Sequence, residues 1–243
     1  MDIRLDGKRA LVTGAGKGIG REIVKVLTEC GAHVIAVSRT QSDLDSLKAE
    51  TGCSTILADI TSAEEAKRCA EAAGDIDLLV NNAGIALLAP FLEVTVQDFD
   101  ETIAVNLRAA LIIGQVVAKG MIARGKGGAI VNVSSQAGVA AVQDHTAYCA
   151  SKAGLDHLTR VMALELGPHQ IRVNSVNPTV ILTPMGEKVW GAPEKGGPML
   201  AKIPLGRFGY PIHVAQAVAY LLSDQSDMIN GIIMPIDGGY LVG

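Results

Sequence analysis

Two side chains that can move a proton lie one helical turn apart, at Tyr148 and Lys152. Residues four positions apart on a helix share one face. The phenol of a free tyrosine has a pKa of about 10, which is too high for acid–base work at neutral pH. A neighbouring ammonium favours the phenolate and lowers that pKa. We therefore expect Tyr148 to be able to act as a general acid or base near neutral pH.

A glycine-rich segment near the N-terminus is the second chemically informative feature. The sequence TGAGKGIG, residues 13–20, joins an apolar run to a segment with helical periodicity. Its glycines allow a tight turn and close approach of a pyrophosphate, and a helix N-terminus favours an anion. A strand–turn–helix context distinguishes a dinucleotide site from an ordinary turn.

The elements that position these residues alternate between short apolar runs and longer helical stretches. Strands are predicted at 10–14, 33–38, 54–59, 128–135 and 171–178, with a strand and turn at 77–84 and a closing strand near 229–239. Long helices are predicted at 98–123 and 146–167, Ser42 caps a helix at 42–50, and 179–210 forms an irregular lobe. This alternation predicts an α/β fold, a Rossmann-type doubly wound parallel sheet with helices on both faces, as a single domain over 1–243.

Composition narrows the class of protein. The chain has 243 residues, 49% of them hydrophobic, and a net charge of −4. Without a strongly basic patch, nucleic acid is not expected as a partner. No signal peptide and no membrane-spanning segment is predicted, and the cysteines lack metal-ligand spacing, so we expect a cytoplasmic protein with reduced thiols and no metal site. Peripheral association with a membrane is left open.

Several motifs occur in the order typical of one enzyme family. The glycine spacing is followed by Asn81-Asn82-Ala83-Gly84, by Asn106, and by Ser135 thirteen residues before Tyr148. In these residues the chain resembles the short-chain dehydrogenase/reductase family from residue 10 to about 180. The resemblance implies a catalytic set of Asn106, Ser135, Tyr148 and Lys152. In that set Ser135 hydrogen-bonds the substrate oxygen, and Asn106 positions a water that links Lys152 to solvent.

The resemblance also bears on the cofactor. NAD-dependent members carry an acidic side chain after the second strand, whereas Ser38-Arg39-Thr40 stands there in this chain. The guanidinium fork of Arg39 suits a 2′-phosphate, with Lys17 on its other side, and predicts NADP(H). The alternative is that Arg39 is a surface charge paired with Asp43. The other expected cofactor contacts are Gly14, Gly18, Ile19, Gly20, Asp59, Asn82, Ala83, Gly84, Tyr148, Lys152, Pro178, Val180 and Thr183.

The substrate pocket is expected between residues 136–148 and the lobe at 179–210, which could act as a lid. Ser135 and Tyr148 would contact the substrate, together with Val142, His145 and Trp190. His145 either hydrogen-bonds a sugar hydroxyl or is an exposed residue at a helix start. Trp190 either closes over the substrate or packs in an oligomer interface.

Three functions are compatible with these residues. The first is an NADPH-dependent carbonyl reductase that converts L-xylulose to xylitol and reduces small α-dicarbonyls such as diacetyl. The second is a 3-oxoacyl-thioester reductase, which uses the same four residues. The third is a non-catalytic NADP-binding scaffold, which the intact catalytic set disfavours. Apolar residues on several faces of the two long helices predict a homotetramer, as in most of the family.

Overall fold

The strands form one parallel sheet in the order β3-β2-β1-β4-β5-β6-β7. The computed structural model describes residues 2–183, 186–187 and 190–242, apart from the side chains of Pro193 and Lys195. The strands are β1 (Arg9–Thr13), β2 (His33–Ser38), β3 (Ser54–Leu57), β4 (Leu78–Asn81), β5 (Gly128–Val133), β6 (Ile171–Pro178) and β7 (Ile233–Ile236). The chain moves outward from β1 to β3 and then returns to the other side of β1. The strand order therefore reverses between β1 and β4, where ligands bind in sheets of this kind.

Helices cover both faces of the sheet. They are α1 (Gly18–Glu29), α2 (Gln41–Thr51), α3 (Ala63–Ala72), α4 (Val96–Ile103), α5 (Ala109–Arg124), α6 (Thr146–Leu166), α7 (Pro193–Leu200) and α8 (Pro211–Leu222). One apolar core packs α1, α2 and α8 against the sheet, and a second packs α3, α5 and α6 on the opposite face. The predicted doubly wound α/β fold is confirmed.

Local sequence signals account for several helix ends. Ser62 and Thr95 cap α3 and α4, because their hydroxyls accept hydrogen bonds from the Glu65 and Asp98 amides. Gly52 ends α2 with φ of +73°, in the left-handed region that glycine adopts at little cost. The predicted cap at Ser42 is wrong, since α2 begins at Gln41 and Ser42 lies inside it.

Two predicted segments differ from the structure. The single helix expected at 98–123 consists of α4 and α5, joined by a π-helical turn at Ala104–Arg108. Asn106 lies in this turn and pairs with both backbone groups of Ile85, so the widened turn faces the loop after β4. The lobe at 179–210 is not wholly irregular, because it contains α7, which starts at a proline compatible with the first helical position.

The continuous helical stretch Val96–Arg124 is long and apolar enough to cross a membrane by length and composition. No segment of the sequence was predicted to be long and apolar enough to span a membrane. In the structure 56% of its most apolar window is buried inside the protein. Its residues Ile113, Val117 and Met121 belong to the core beneath the sheet, so we interpret it as a core helix.

Candidate active site

A cavity of about 420 Å³ lies at the carboxyl edge of the sheet, at the point where the strand order reverses. Its lining includes most residues predicted to hold the cofactor. These are Gly14, Lys17, Gly18, Ile19, Gly20, Ser38, Arg39, Thr40, Asp59, Asn82, Ala83, Gly84 and Thr183. The remaining predicted contacts, Tyr148, Lys152, Pro178 and Val180, are not part of this lining.

The glycine turn is shaped by close contact of backbone with backbone. Gly14 has φ of +64°, and a Cβ there would lie 2.7 Å from Ala83 Cα. A Cβ on Gly16 would lie 2.8 Å from Ser38 Oγ. The amide of Asn82 donates to the carbonyl of Gly14 at 3.0 Å, which ties the turn after β4 to the turn after β1. A side chain at Gly14 or Gly16 would therefore push apart the segments that form the wall of this cavity.

The start of α1 is open to an anion. The side chain of the N-cap residue Lys17 makes no capping hydrogen bond, so among the described residues the N–H groups of the first turn are available at the cavity. Thr183 approaches from the far side, where a Cβ on Gly18 would lie 3.1 Å from Thr183 Cγ2. The uncapped helix and the glycine cradle fit the diphosphate of a dinucleotide.

The far end of the cavity carries the charges expected to select the cofactor. Arg39 is exposed at the rim, and within the described residues it has no acidic partner within 4 Å. Asp43 instead pairs with Lys17, with 3.3 Å between Lys17 Nζ and Asp43 Oδ2. The alternative pairing of Arg39 with Asp43 is thus not found. Lys17, expected to reach the phosphate, is occupied by Asp43 in this conformation.

Asp59 follows β3 and lines the same cavity. Its Oδ1 accepts a hydrogen bond from the backbone N–H of Thr61 at 3.0 Å. Hydrogen bonds from Thr61 lower the pKa of Asp59, and the charge of Arg39 adds to this effect. Asp59 is therefore an ionised acceptor at the cavity wall.

Tyr148 and Lys152 lie on the first turns of α6, as predicted. Lys152 Nζ donates to the carbonyl of Val133, at the end of β5, at 2.8 Å. It lies 5.6 Å from the centroid of the Tyr148 ring. A Cβ on Gly84 would lie 3.4 Å from Lys152 Nζ, and Gly84 lines the nucleotide cavity. The Tyr–Lys pair therefore stands beside that cavity.

Ser135 is held in a fixed orientation by the turn that follows it. Its hydroxyl oxygen accepts from the N–H of Ala137 at 3.1 Å and caps the short helix Gln136–Gly138. The hydroxyl proton is thus free for another acceptor. Hydrogen bonding with Ser135 is one of the effects on the pKa of the Tyr148 phenol.

Burial has the largest effect on the pKa values of Tyr148 and Lys152. It raises the pKa of Tyr148, while hydrogen bonding with Ser135 opposes that rise. It also lowers the pKa of Lys152 to about 8. In the protein alone the pKa of Tyr148 is raised, contrary to the expected lowering by Lys152, because loss of solvation is the largest effect and Lys152 is not among the groups that lower it.

Asn106 is occupied by protein partners. Its amide nitrogen donates to the carbonyl of Ile85 at 2.9 Å and to Ser151 Oγ at 3.0 Å. Its oxygen accepts from the N–H of Ile85 at 2.8 Å. Both amide hydrogens are used, so a water that linked Lys152 to solvent would have to donate to oxygen atoms of Asn106.

The predicted substrate residues His145, Val142 and Trp190 differ in their position relative to Tyr148. The rings of His145 and Tyr148 meet edge to face with centroids 6.1 Å apart, so His145 adjoins Tyr148. Its Nδ1 contacts the carbonyl of Gln143, which can only accept, so Nε2 of the neutral ring is an acceptor. Val142 is partly exposed near the start of α6. Trp190 is partly exposed in a helical position.

Several cavity residues were missed by the sequence analysis. They are Gly16, Val37, Asp43, Ala58, Ile60, Thr61, Ile85 and Val105. Gly16 had a usable signal, since it lies within the glycine turn. Ile85 and Val105 had none, because apolar residues in a loop and a helix are indistinguishable from core positions without the fold.

An α/β dinucleotide-binding fold that brings a serine, a tyrosine and a lysine beside its cavity defines a class of oxidoreductase. A family model described as enoyl-(acyl carrier protein) reductase matches residues 14–241. The chain belongs to the short-chain dehydrogenase/reductase family.

Individual relatives agree with that assignment. The chain is 56% identical to L-xylulose reductase of Mesocricetus auratus, with 100% of each chain covered. It is 46% identical to carbonyl reductase [NADPH] 2 of Sus scrofa, over 99% of each chain. A solved structure from Beutenbergia cavernae, assigned as an NAD(P)-dependent gluconate 5-dehydrogenase with NADP bound at low occupancy, superposes with a TM-score of 0.94. It shares 34% identity, and 100% of both chains is covered.

Proposed function

We propose that this chain is an NADP(H)-dependent carbonyl reductase that reduces L-xylulose to xylitol and acts on small α-dicarbonyls such as diacetyl. The main support for this proposal is the position of Lys152 Nζ, which lies beside the Tyr148 ring and next to Gly84 of the nucleotide cavity. The residues that would transfer the proton are thus adjacent to the cavity that would hold the cofactor. The names of the relatives from Mesocricetus auratus and Sus scrofa support the substrate class.

The protein's own contribution is to orient the substrate and supply a proton. When bound, NADPH supplies the hydride. The Ser135 hydroxyl, its oxygen fixed by Ala137, directs its proton to the substrate carbonyl oxygen. Tyr148 gives that oxygen a proton, and Lys152 provides a positive charge beside the phenol. His145 offers Nε2 to a substrate hydroxyl, and Val142, Trp190 and the lobe at 179–210 form the outer wall.

The preference for NADP(H) rests on Arg39. A 2′-phosphate is a dianion near neutral pH, and an arginine without an acidic partner can bind it through two N–H groups. An acidic residue at this place would repel it. The NADP seen in the Beutenbergia cavernae structure and the printed name of the Sus scrofa relative support this choice.

A thioester substrate is the second candidate, and the description of the matching family model favours testing it. An acyl-carrier protein would require a basic patch at the pocket mouth. The lobe offers Lys188, Lys195 and Lys202 in the sequence. Lys188 and the side chain of Lys195 lie outside the described residues, and Lys202 is exposed.

Assembly into a cytoplasmic homotetramer completes the proposal. Apolar side chains on the outer faces of α5 and α6 remain exposed in one protomer, with Leu164 at 79% and Val161 at 39%. Large exposed apolar side chains of this kind favour burial in an interface. Light scattering at micromolar concentration should give the mass of four chains, and a monomer peak would contradict the assembly.

The decisive experiment compares initial rates with NADPH and NADH on L-xylulose, diacetyl and an acetoacetyl thioester. We expect rapid turnover of the first two substrates and a strong preference for NADPH. Turnover of the thioester alone would replace the substrate assignment and keep the chemistry. A preference for NADH would refute the role of Arg39. Cofactor binding without turnover of any carbonyl would favour a scaffold.

A further inference from the structure

A buried carboxyl group outside the catalytic set lies directly behind it. Asp156 follows Lys152 by one turn of α6 and is only 4% exposed. Burial of an acidic side chain is costly unless partners satisfy its oxygen atoms. Its hydrogen-bond partners include Ser175 and Asn177 of β6, both fully buried, and Ser134 also lowers its pKa by hydrogen bonding.

These three side chains form a closed ring of contacts. Ser175 Oγ lies 3.1 Å from Asp156 Oδ1 and 2.8 Å from Asn177 Oδ1. Asn177 Nδ2 closes the ring by donating to Asp156 Oδ2 at 2.7 Å. Because the serine hydroxyl has one proton for two acceptors, the ring is fully hydrogen-bonded when Asp156 also carries a proton. Burial raises the pKa of Asp156, which favours that proton, while the surrounding donors and the charge of Lys152 oppose the rise.

The ring reaches the catalytic serine through its main chain. Asn177 Nδ2 also donates to the carbonyl of Ser135 at 2.8 Å. The same carbonyl accepts from the N–H of Gly138 at 2.9 Å. A Cβ on Gly138 would lie only 2.6 Å from Asp156 Oδ2, so the turn after Ser135 packs directly on the carboxyl group.

We propose that Asp156 is a positioning residue of this site: with Ser175 and Asn177 it fixes the main chain of Ser135, and thereby the direction of the serine hydroxyl. This inference rests on the proposed function, in which that hydroxyl meets the substrate oxygen. A small rotation of a catalytic group is costly, because the reacting atoms need near-attack geometry.

The test compares Asp156→Ala with the isosteric Asp156→Asn. An asparagine amide can donate to Ser175 Oγ and accept from Asn177, so it restores the ring. We expect Asp156→Ala to lower kcat about tenfold or more, with the Kd for NADPH unchanged, and Asp156→Asn to keep kcat within about threefold. Ser175→Ala opens the ring without removing the carboxyl group and should also lower kcat.

Thr159→Val is the matched control. Thr159 is fully buried on the same helix, accepts a hydrogen bond from Asn132 Nδ2 at 2.8 Å and donates one to the carbonyl of Leu155. The Thr159→Val substitution should lower the melting temperature without a comparable loss of kcat. Unchanged kcat in folded Asp156→Ala or Ser175→Ala would overturn the inference, as would an Asn variant as impaired as the Ala variant.

A second measurement does not depend on turnover. Ser135 opposes the rise in the pKa of Tyr148, so a displaced serine should move ionisation of Tyr148 to higher pH. Ultraviolet titration of Asp156→Ala, with Tyr148→Phe identifying the signal, would detect it, and an unmoved titration would count against the ring. If the wild type reduced no carbonyl but this titration moved, the proposed function would fail and the ring would stand.

Discussion

Around the glycine turn, backbone packs against backbone, whereas around Ser135 and Lys152 buried polar side chains contact one another. Gly14 leaves no room for a Cβ beside Ala83. At the other end of the cavity, Lys152 and Asp156 are buried on one helix. Shape therefore governs the nucleotide end, and charge and hydrogen bonding govern the catalytic end.

The two ends should therefore be sensitive to different kinds of substitution. Added volume should damage the nucleotide end, because its atoms are already in contact. A removed proton donor or charge should damage the catalytic end while the protein stays folded. Substitutions in the two ends should thus separate cofactor affinity from turnover.

Loss of the tyrosine hydroxyl should have the largest effect. Tyr148→Phe removes the proton donor but keeps the ring that contacts His145. We expect kcat to fall about 10²- to 10⁴-fold, the range of general acid catalysis. The Kd for NADPH, measured by its fluorescence, should remain unchanged. Full turnover in this variant would show that the catalytic assignment is wrong.

Burial of Lys152 should be visible in stability against pH. Its folded pKa of about 8 lies below the ordinary value of 10.5. Between these values the unfolded chain binds more protons, so the free energy of unfolding should rise with pH by up to about 3 kcal/mol. Chemical unfolding without cofactor at pH 7.5 and pH 10 measures this rise.

Lys152→Met is the comparison for that measurement. It removes the ionisable group from the buried site while keeping an unbranched apolar side chain. The difference in unfolding free energy between Lys152→Met and the wild type should narrow as the pH rises. A constant difference would mean that Lys152 is more solvated than its burial indicates.

Added volume at the nucleotide end gives the next effect. Gly14→Ala combines a left-handed φ of +64° with a clash against Ala83. We expect a loss of about 2–4 kcal/mol in stability and weakened NADPH binding. Gly52→Ala has a similar φ of +73° but nothing within 4 Å, so it should cost only about 1–2 kcal/mol and leave NADPH binding intact. Equal losses of stability in the two variants would show that conformational strain, and not contact with Ala83, determines the effect of Gly14→Ala.

The sequence predicted the nucleotide end better than the catalytic surroundings. Local rules apply to the glycine turn, because its residues adjoin along the chain, and the neighbouring strand β2 was predicted with the observed bounds. The role of Asp156 could not be predicted from the neighbouring sequence, because its partner Asn177 lies on β6 and meets it only in the folded chain. The salt bridge of Lys17 with Asp43 was likewise invisible, because it depends on how α1 and α2 are packed.

Arg39 has the smallest expected effect and offers the sharpest contrast between the cofactors. Arg39→Ser removes the cation without adding volume at the rim. We expect the KM for NADPH to rise about tenfold to a hundredfold, equivalent to about 1.5–3 kcal/mol for hydrogen bonds to a charged group, with the KM for NADH nearly constant. Lys17→Ala is the control: because Lys17 is 71% exposed and paired with Asp43, its loss should raise the KM for NADPH less. Equal losses in both variants would mean that Lys17 leaves Asp43 to share the phosphate. No loss in Arg39→Ser would make Arg39 a solvent-exposed charge, and the choice of cofactor would then lie elsewhere in the cavity.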